Sequence, residues 1–220
     1  MVEVLGLVLF LVLFTVGTLR FVAFMASRAK ASCAEAARLL SLPSVPMSGV
    51  EAAETFLPEG RAVHGDVVAF RGALRDVEVV LAAFTHDSNT SVNGGVIPIT
   101  ATHVVARLRR PLSGRRVLIS RRVFGSPDSD VALAPSLDRL AVVASEDPGA
   151  LARLFSGQSA LADDVAQFVA GGEGAWFVHD DRCAAFVAQH DPSKIRAAVR
   201  RAVDLARALD RAADTRDAAA

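Results

Sequence analysis

The chain has 220 residues, and its 24 Lys or Arg are balanced by 24 Asp or Glu, so the formal net charge is zero. That balance excludes a global field drawing the protein to nucleic acid or to an acidic substrate. Two cysteines, Cys33 and Cys183, exclude a disulfide framework and fit a reduced cytosolic setting.

The first element is apolar. Residues 4–19 carry no charge and are rich in Leu, Val and Phe, and the stretch 21–26 extends them across Arg20. A bilayer core of about 30 Å takes roughly 20 helical residues. The span therefore continues to Phe24 or Met25, and Arg20 falls within its last two turns, where its long stem carries the charge to the headgroups. Residues 1–27 read as a transmembrane anchor. A cleaved signal peptide needs a basic start, and only Glu3 precedes the run. Cys33 follows Lys30-Ala31-Ser32, which puts a charge where a bacterial lipobox needs an aliphatic residue. Arg20, Arg28 and Lys30 flank the C-terminal side, and the N-terminal flank has no basic side chain. The positive-inside rule then places the amino terminus outside and the rest in the cytoplasm of a single-pass inner-membrane protein. Those three basic residues are the expected membrane-interface set.

Residues 28–59 read as a juxtamembrane helix and linker. Alanines, Glu35, Leu39 and Leu40 keep the stretch helix-permissive until Pro43 and Pro46 stop it. A short turn of helix is expected at 51–56. An α+β domain follows over 60–214, with 215–220 as a disordered tail. Strands are predicted at 63–70 and 77–84, separated by Gly72 and Arg75-Asp76. The turn signal Asn93-Gly94-Gly95 precedes a strand over 96–108. A second turn at Leu112-Ser113-Gly114 leads to a strand over 117–123. Connections this short favour antiparallel neighbours. A strand at 140–144, a helix capped by Asp147 before Pro148, and a helix over 161–170 come next. The segments 175–178 and 183–187 flank Asp180-Asp181 as a hairpin. The closing helix begins near Asp191-Pro192-Ser193. Its Ile195, Ala198, Val199, Ala202, Val203, Ala206 and Leu209 recur at 3.6-residue spacing, an amphipathic stripe made to pack on the sheet. The expected fold is a mainly antiparallel sheet with two or three packed helices, the last long and amphipathic.

Charge is segregated along this domain. Residues 88–127 contain no Asp or Glu but seven arginines: Arg107, Arg109, Arg110, Arg115, Arg116, Arg121 and Arg122. Residues 128–191 carry eleven acidic residues against Arg139, Arg153 and Arg182. On a hairpin under the cytoplasmic leaflet the basic block would hold anionic headgroups or a partner, at about 1 kcal/mol per basic residue. Pairing with the acidic half or plain solvation is the bland reading, since exposed pairs contribute little. Nucleic acid is not an expected partner, because the block offers only Phe124 for stacking and the chain has no tyrosine.

Catalytic signatures are weak. His86-Asp87 and His179-Asp180 repeat a dipeptide used by metal phosphohydrolases, but they fall at strand ends with no further ligand at helical spacing. His179 and Cys183 are four apart, and zinc needs three or four convergent ligands. Gly171-Gly172-Glu173-Gly174 lacks the Lys-Ser/Thr of a phosphate loop. No catalytic residue, metal or cofactor is therefore assigned.

Two stretches carry a resemblance. They are Gly65-Asp66-Val67-Val68-Ala69-Phe70-Arg71-Gly72 and the run from Leu137-Asp138-Arg139-Leu140 to Ser145-Glu146-Asp147-Pro148. With the apolar first helix, they resemble uncharacterised bacterial membrane-anchored proteins in which a strand, a Ser-x-Asp-Pro turn and a helix recur. Leu137 stands where that pattern has phenylalanine. The resemblance covers residues 60–210 and implies a tethered cytoplasmic α+β domain without a known activity.

The expectation is a membrane-tethered interaction or scaffold domain, non-enzymatic, with the bilayer and a protein partner or self-association as its contacts. The alternatives are a membrane-anchored hydrolase-like enzyme using the His/Asp turns, or a sensor of anionic lipid using the arginine hairpin.

Overall fold

The computed structural model describes residues 2–57, 61–92, 95–112, 117–122, 128–170, 176–179, 181–187 and 190–219. Residues 2–11, 88–92, 95–97, 136, 176–179 and 216–219 are described by their backbone alone.

The apolar opening and the alanine-rich stretch after it form one helix, α1 (Val2–Leu39). It ends where Ser41 turns into the left-handed region at φ 55. The Ser41 amide donates to Arg38 O, and the Leu42 amide donates to Ala37 O at 2.9 Å. This pair of bonds satisfies carbonyls of the last turn that have no intrahelical partner. Pro43 then prevents continuation.

The protein is α+β, as its sequence pattern indicates. Strands β1 (Ser44–Val45), β2 (Val63–Leu74), β3 (Val77–Val92) and β4 (Gly95–Arg107) are followed by β5 (Val117–Arg121), β6 (Ala141–Ser145), β7 (Trp176–His179) and β8 (Arg182–Val187). One antiparallel sheet has the order β1-β2-β3-β4-β8-β7, and β5 pairs with β6 in a second. Around them lie α2 (Gly49–Phe56), α3 (Pro135–Asp138), α4 (Pro148–Phe155), α5 (Ser159–Ala170) and α6 (Pro192–Ala219).

Several expectations are corrected. Among the described residues five helices accompany the sheet in addition to α1, where two or three are expected. In residues 28–59 the end of α1 and α2 stand where a continuing helix and a short helical turn are expected, and β1 is added between them. The α2 helix starts at a Ser48 cap whose hydroxyl accepts from the Glu51 amide at 3.1 Å. Strand β3 runs eight residues past Phe84 through polar sequence, because its ladder with β4 extends to Val92↔Gly95. Among the described residues β4 and β5, the arms of the expected arginine hairpin, do not pair: β4 has β8 as its neighbour, and β5 pairs with β6. Helix α6 continues past Asp214 to Ala219.

Both faces of the sheet are covered, so its central strands read as nearly continuous apolar runs. On one face Val79, Leu81 and Ala83 of β3 with Val104 and Ala106 of β4 meet α1 and α6, and α5 packs against α6. All seven residues of the α6 stripe are buried there. Ala29, Cys33, Ala36 and Ala37 of α1 are also buried, at helical spacing. On the other face Val80, Ala82 and Phe84 meet Val105, Ala184 and the α2 residues Ala52 and Phe56.

The direction of α1 over the sheet is fixed at two points. Lys30 Nζ lies 3.9 Å from Asp66 near the start of β2. Leu42 packs so closely on Gly72, near the end of β2, that a Cβ there would sit 2.9 Å from Leu42 Cδ2. Helix α1 therefore runs in the direction of β2 across β2, β3 and β4, and its exposed first half leaves over the sheet end where β2 begins, β3 ends and β4 begins.

Candidate functional site

The exposed half of α1 is the first candidate. Eight large apolar side chains between Val12 and Phe24 are exposed, including Leu13, Phe14, Leu19 and Phe21 at 63–65 %. Each is worth about 1.5–3 kcal/mol on transfer out of water. Arg20 is exposed within this stretch, and Arg28 is exposed just beyond it. Lys30 is half-buried beside Asp66. The helix is long and apolar enough to cross a membrane. Its exposed stretch gives way to the buried set at Ala29 without a break in the helix.

The arginines do not form one patch. Arg107 ends β4 and reaches Glu78 at 3.5 Å and Asp181 at 3.8 Å. Arg109 and Arg110 follow it and are exposed, and the Arg109 amide donates to Asp210 at 3.0 Å. From Pro98 to Arg107 is roughly 30 Å of strand. These three arginines therefore occupy the sheet end opposite the one over which α1 leaves. Arg121 is exposed on β5, and Arg122 donates from Nη2 to Ser129 Oγ at 3.4 Å. Arg115 and Arg116 lie outside the described residues.

The two His/Asp turns are separated in the same way. His86 and Asp87 sit near the α1 exit, where Asp87 pairs with Pro98. His179 pairs with Arg182, which itself faces Arg107, at the other end of the sheet. Asp180 lies outside the described residues. Burial pushes the Asp181 carboxyl up, but the hydrogen bond and charge of Arg182 with the charge of Arg107 outweigh it and hold the group below its ordinary value. Cys183 is fully buried, and burial with the nearby Asp210 pushes its thiol far up, so it is not a thiolate at neutral pH. Among the described residues no three His, Cys, Asp or Glu side chains converge as a metal set.

The structure instead joins His86 to a residue the sequence did not single out. Strand β3 directs Phe84 and His86, and β4 directs His103, to the α2 face. The His86 and His103 rings are 4.9 Å apart, edge to face. His103 stacks on Phe84 at 4.3 Å, with Phe56 of α2 at 5.9 Å and Phe186 of β8 at 6.0 Å. Both histidines are 2 % exposed, and neither Nε2 has a hydrogen-bond partner among the described residues. His86 Nδ1 bonds the Asp87 carbonyl at 2.8 Å. Burial lowers the His86 pKa, the Asp87 carbonyl opposes that, and Arg61 adds to it. Burial also lowers His103 well below its ordinary value, with His86 and Arg61 acting the same way. Outside this cluster, half-exposed His64 bonds Asp87 Oδ1 at 2.7 Å. The available signal was the two-residue period, which sets His103 between Ala101 and Val105. Using it required the β3–β4 register.

Compared with known proteins, the chain matches no family model, no curated protein and no solved structure.

Proposed function

We propose that the chain is a single-span inner-membrane protein whose cytoplasmic α+β domain is an interaction or scaffold module. The observation that carries this reading is the continuity of α1, whose exposed apolar residues run directly into residues buried in the domain core. Such a helix holds the domain against the bilayer at a fixed height. Orientation rests on the basic residues at its C-terminal side. The remoteness and ion pairing of Arg107 favour a protein partner over lipid headgroups for that end. The separation of the two His/Asp turns gives a hydrolase reading no convergent site.

The protein is expected to stay in membranes through an alkaline carbonate wash, and a C-terminal reporter is expected to be active only in the cytoplasm. Release by carbonate, or a reporter active on the periplasmic side, overturns the assignment.

A further inference from the structure

We propose that His86 and His103 form an acid-sensitive latch beneath α2, closed while both imidazoles are neutral and released when either gains a proton. The latch goes beyond the tethering role and does not depend on which side of the membrane the domain faces.

The geometry begins with α2. It has eight residues, fewer than the roughly 12–15 that make an isolated helix even marginal in water. Its hold on the sheet comes from Ala52 and Phe56, both fully buried, and from Arg182, whose Nη1 donates to Glu54 O at 3.1 Å and Thr55 O at 3.0 Å. The Phe56 ring lies tilted against the stacked pair of Phe84 and His103, with centroids at 5.6 Å and 5.9 Å. The socket for the main anchor of α2 is thus partly made of a titratable ring, and a second one touches it.

Burial opposes a proton at either ring more than any neighbour favours one. Among the described residues neither Nε2 has an acceptor, so an imidazolium would be buried with that N–H unpaired, and at His86 only Nδ1 has a partner, the Asp87 carbonyl at 2.8 Å. The charged and titratable groups facing the pair are Arg61, ahead of β2, and His64 and Asp87 at the strand ends. Arg61 repels a cation at either histidine. Asp87 attracts one at His86, but its Oδ1 is already engaged by His64. The α2 carboxylates Glu51 and Glu54 are exposed, and β8 supplies the uncharged Phe186. The faces of Phe56 and Phe84 offset part of the cost through cation–π attraction, without replacing lost hydration. Lifting α2 lets water reach both rings, so the open state binds protons that the closed state refuses. The closed state is fully favoured above the ordinary histidine pKa of about 6.5 and loses ground as pH falls below it.

The test is hydrogen exchange on the full-length protein in detergent micelles between pH 7.5 and 5.5, corrected for intrinsic rates. The opening constant of residues 49–56 is expected to rise as pH falls below about 6.5, by up to tenfold per pH unit for each histidine that protonates. Protection in α6 should persist over the range where α2 opens. The His86→Gln/His103→Phe double variant is expected to flatten that slope, and His64→Asn to keep it. Should the double variant fail to fold, nitrogen-15 histidine spectra of the unaltered protein serve instead, with ring protonation expected to track α2 opening. A flat profile, simultaneous loss of α2 and α6, a slope retained in the folded double variant, or protonation with α2 still closed would each overturn the latch.

Discussion

The two faces of the six-stranded sheet are covered in different ways. The α1/α6 face carries a broad apolar core closed by long helices, with Ile195, Val199, Leu209 and Leu81 all buried. The α2 face carries a smaller cluster closed by eight residues, and two histidines are built into it. Side chains on the first face alternate with those on the second along β3 and β4, so neighbouring residues serve different ends. The large face holds most of the buried apolar residues. On the proposed latch, the small face is where the fold opens while the rest stays closed.

Substitutions on each side should separate these roles. Ile195→Ala, in the large core, is expected to cost about 2–5 kcal/mol of global stability, read as a lower urea midpoint. Arg182→Ala removes the charged donor from the last turn of α2 and is expected to cost about 1.5–3 kcal/mol. Its signature is faster exchange across 49–56 with little change in α6; equal acceleration in both would join the two faces into one cooperative unit. The smallest effect is a gain. Ser41 holds the left-handed position at the end of α1 that glycine adopts without strain, so Ser41→Gly is expected to raise the melting temperature by the equivalent of about 0.5–1 kcal/mol.

Legibility in the sequence followed the range of the interaction. The α6 stripe was plain because 3.6-residue spacing is a local property of the chain, and all seven of its residues are buried. The Asp147 cap was equally local, and its carboxylate accepts from the Ala150 amide at 2.9 Å. The β7–β8 hairpin followed from its turn. Strand β5 was located correctly but given the wrong neighbour, since its partner β6 lies twenty residues away and no local signal names it. The histidine pair was illegible for a similar reason. His103 becomes notable only when the β3–β4 register sets it beside Phe84 and α2 folds back to place Phe56 on it. Pairing of the basic block with the acidic half was open to the sequence, but not which residues pair: Arg107 meets Asp181 from the β7–β8 turn and Glu78 from β3.

The unbroken passage of α1 from exposed apolar surface into the core has a mechanical consequence. About 14 residues of the helix, from Ala26 to Leu39, run along the domain, a lever of roughly 21 Å. With the other end in a bilayer, a tilt of about 20° would swing the far end of that lever sideways by roughly 7 Å. Hydrophobic mismatch changes tilt, and α1 has no break between its exposed apolar half and the part packed on the sheet to absorb the motion. A thinner or thicker membrane would therefore be felt as a new posture of the whole domain.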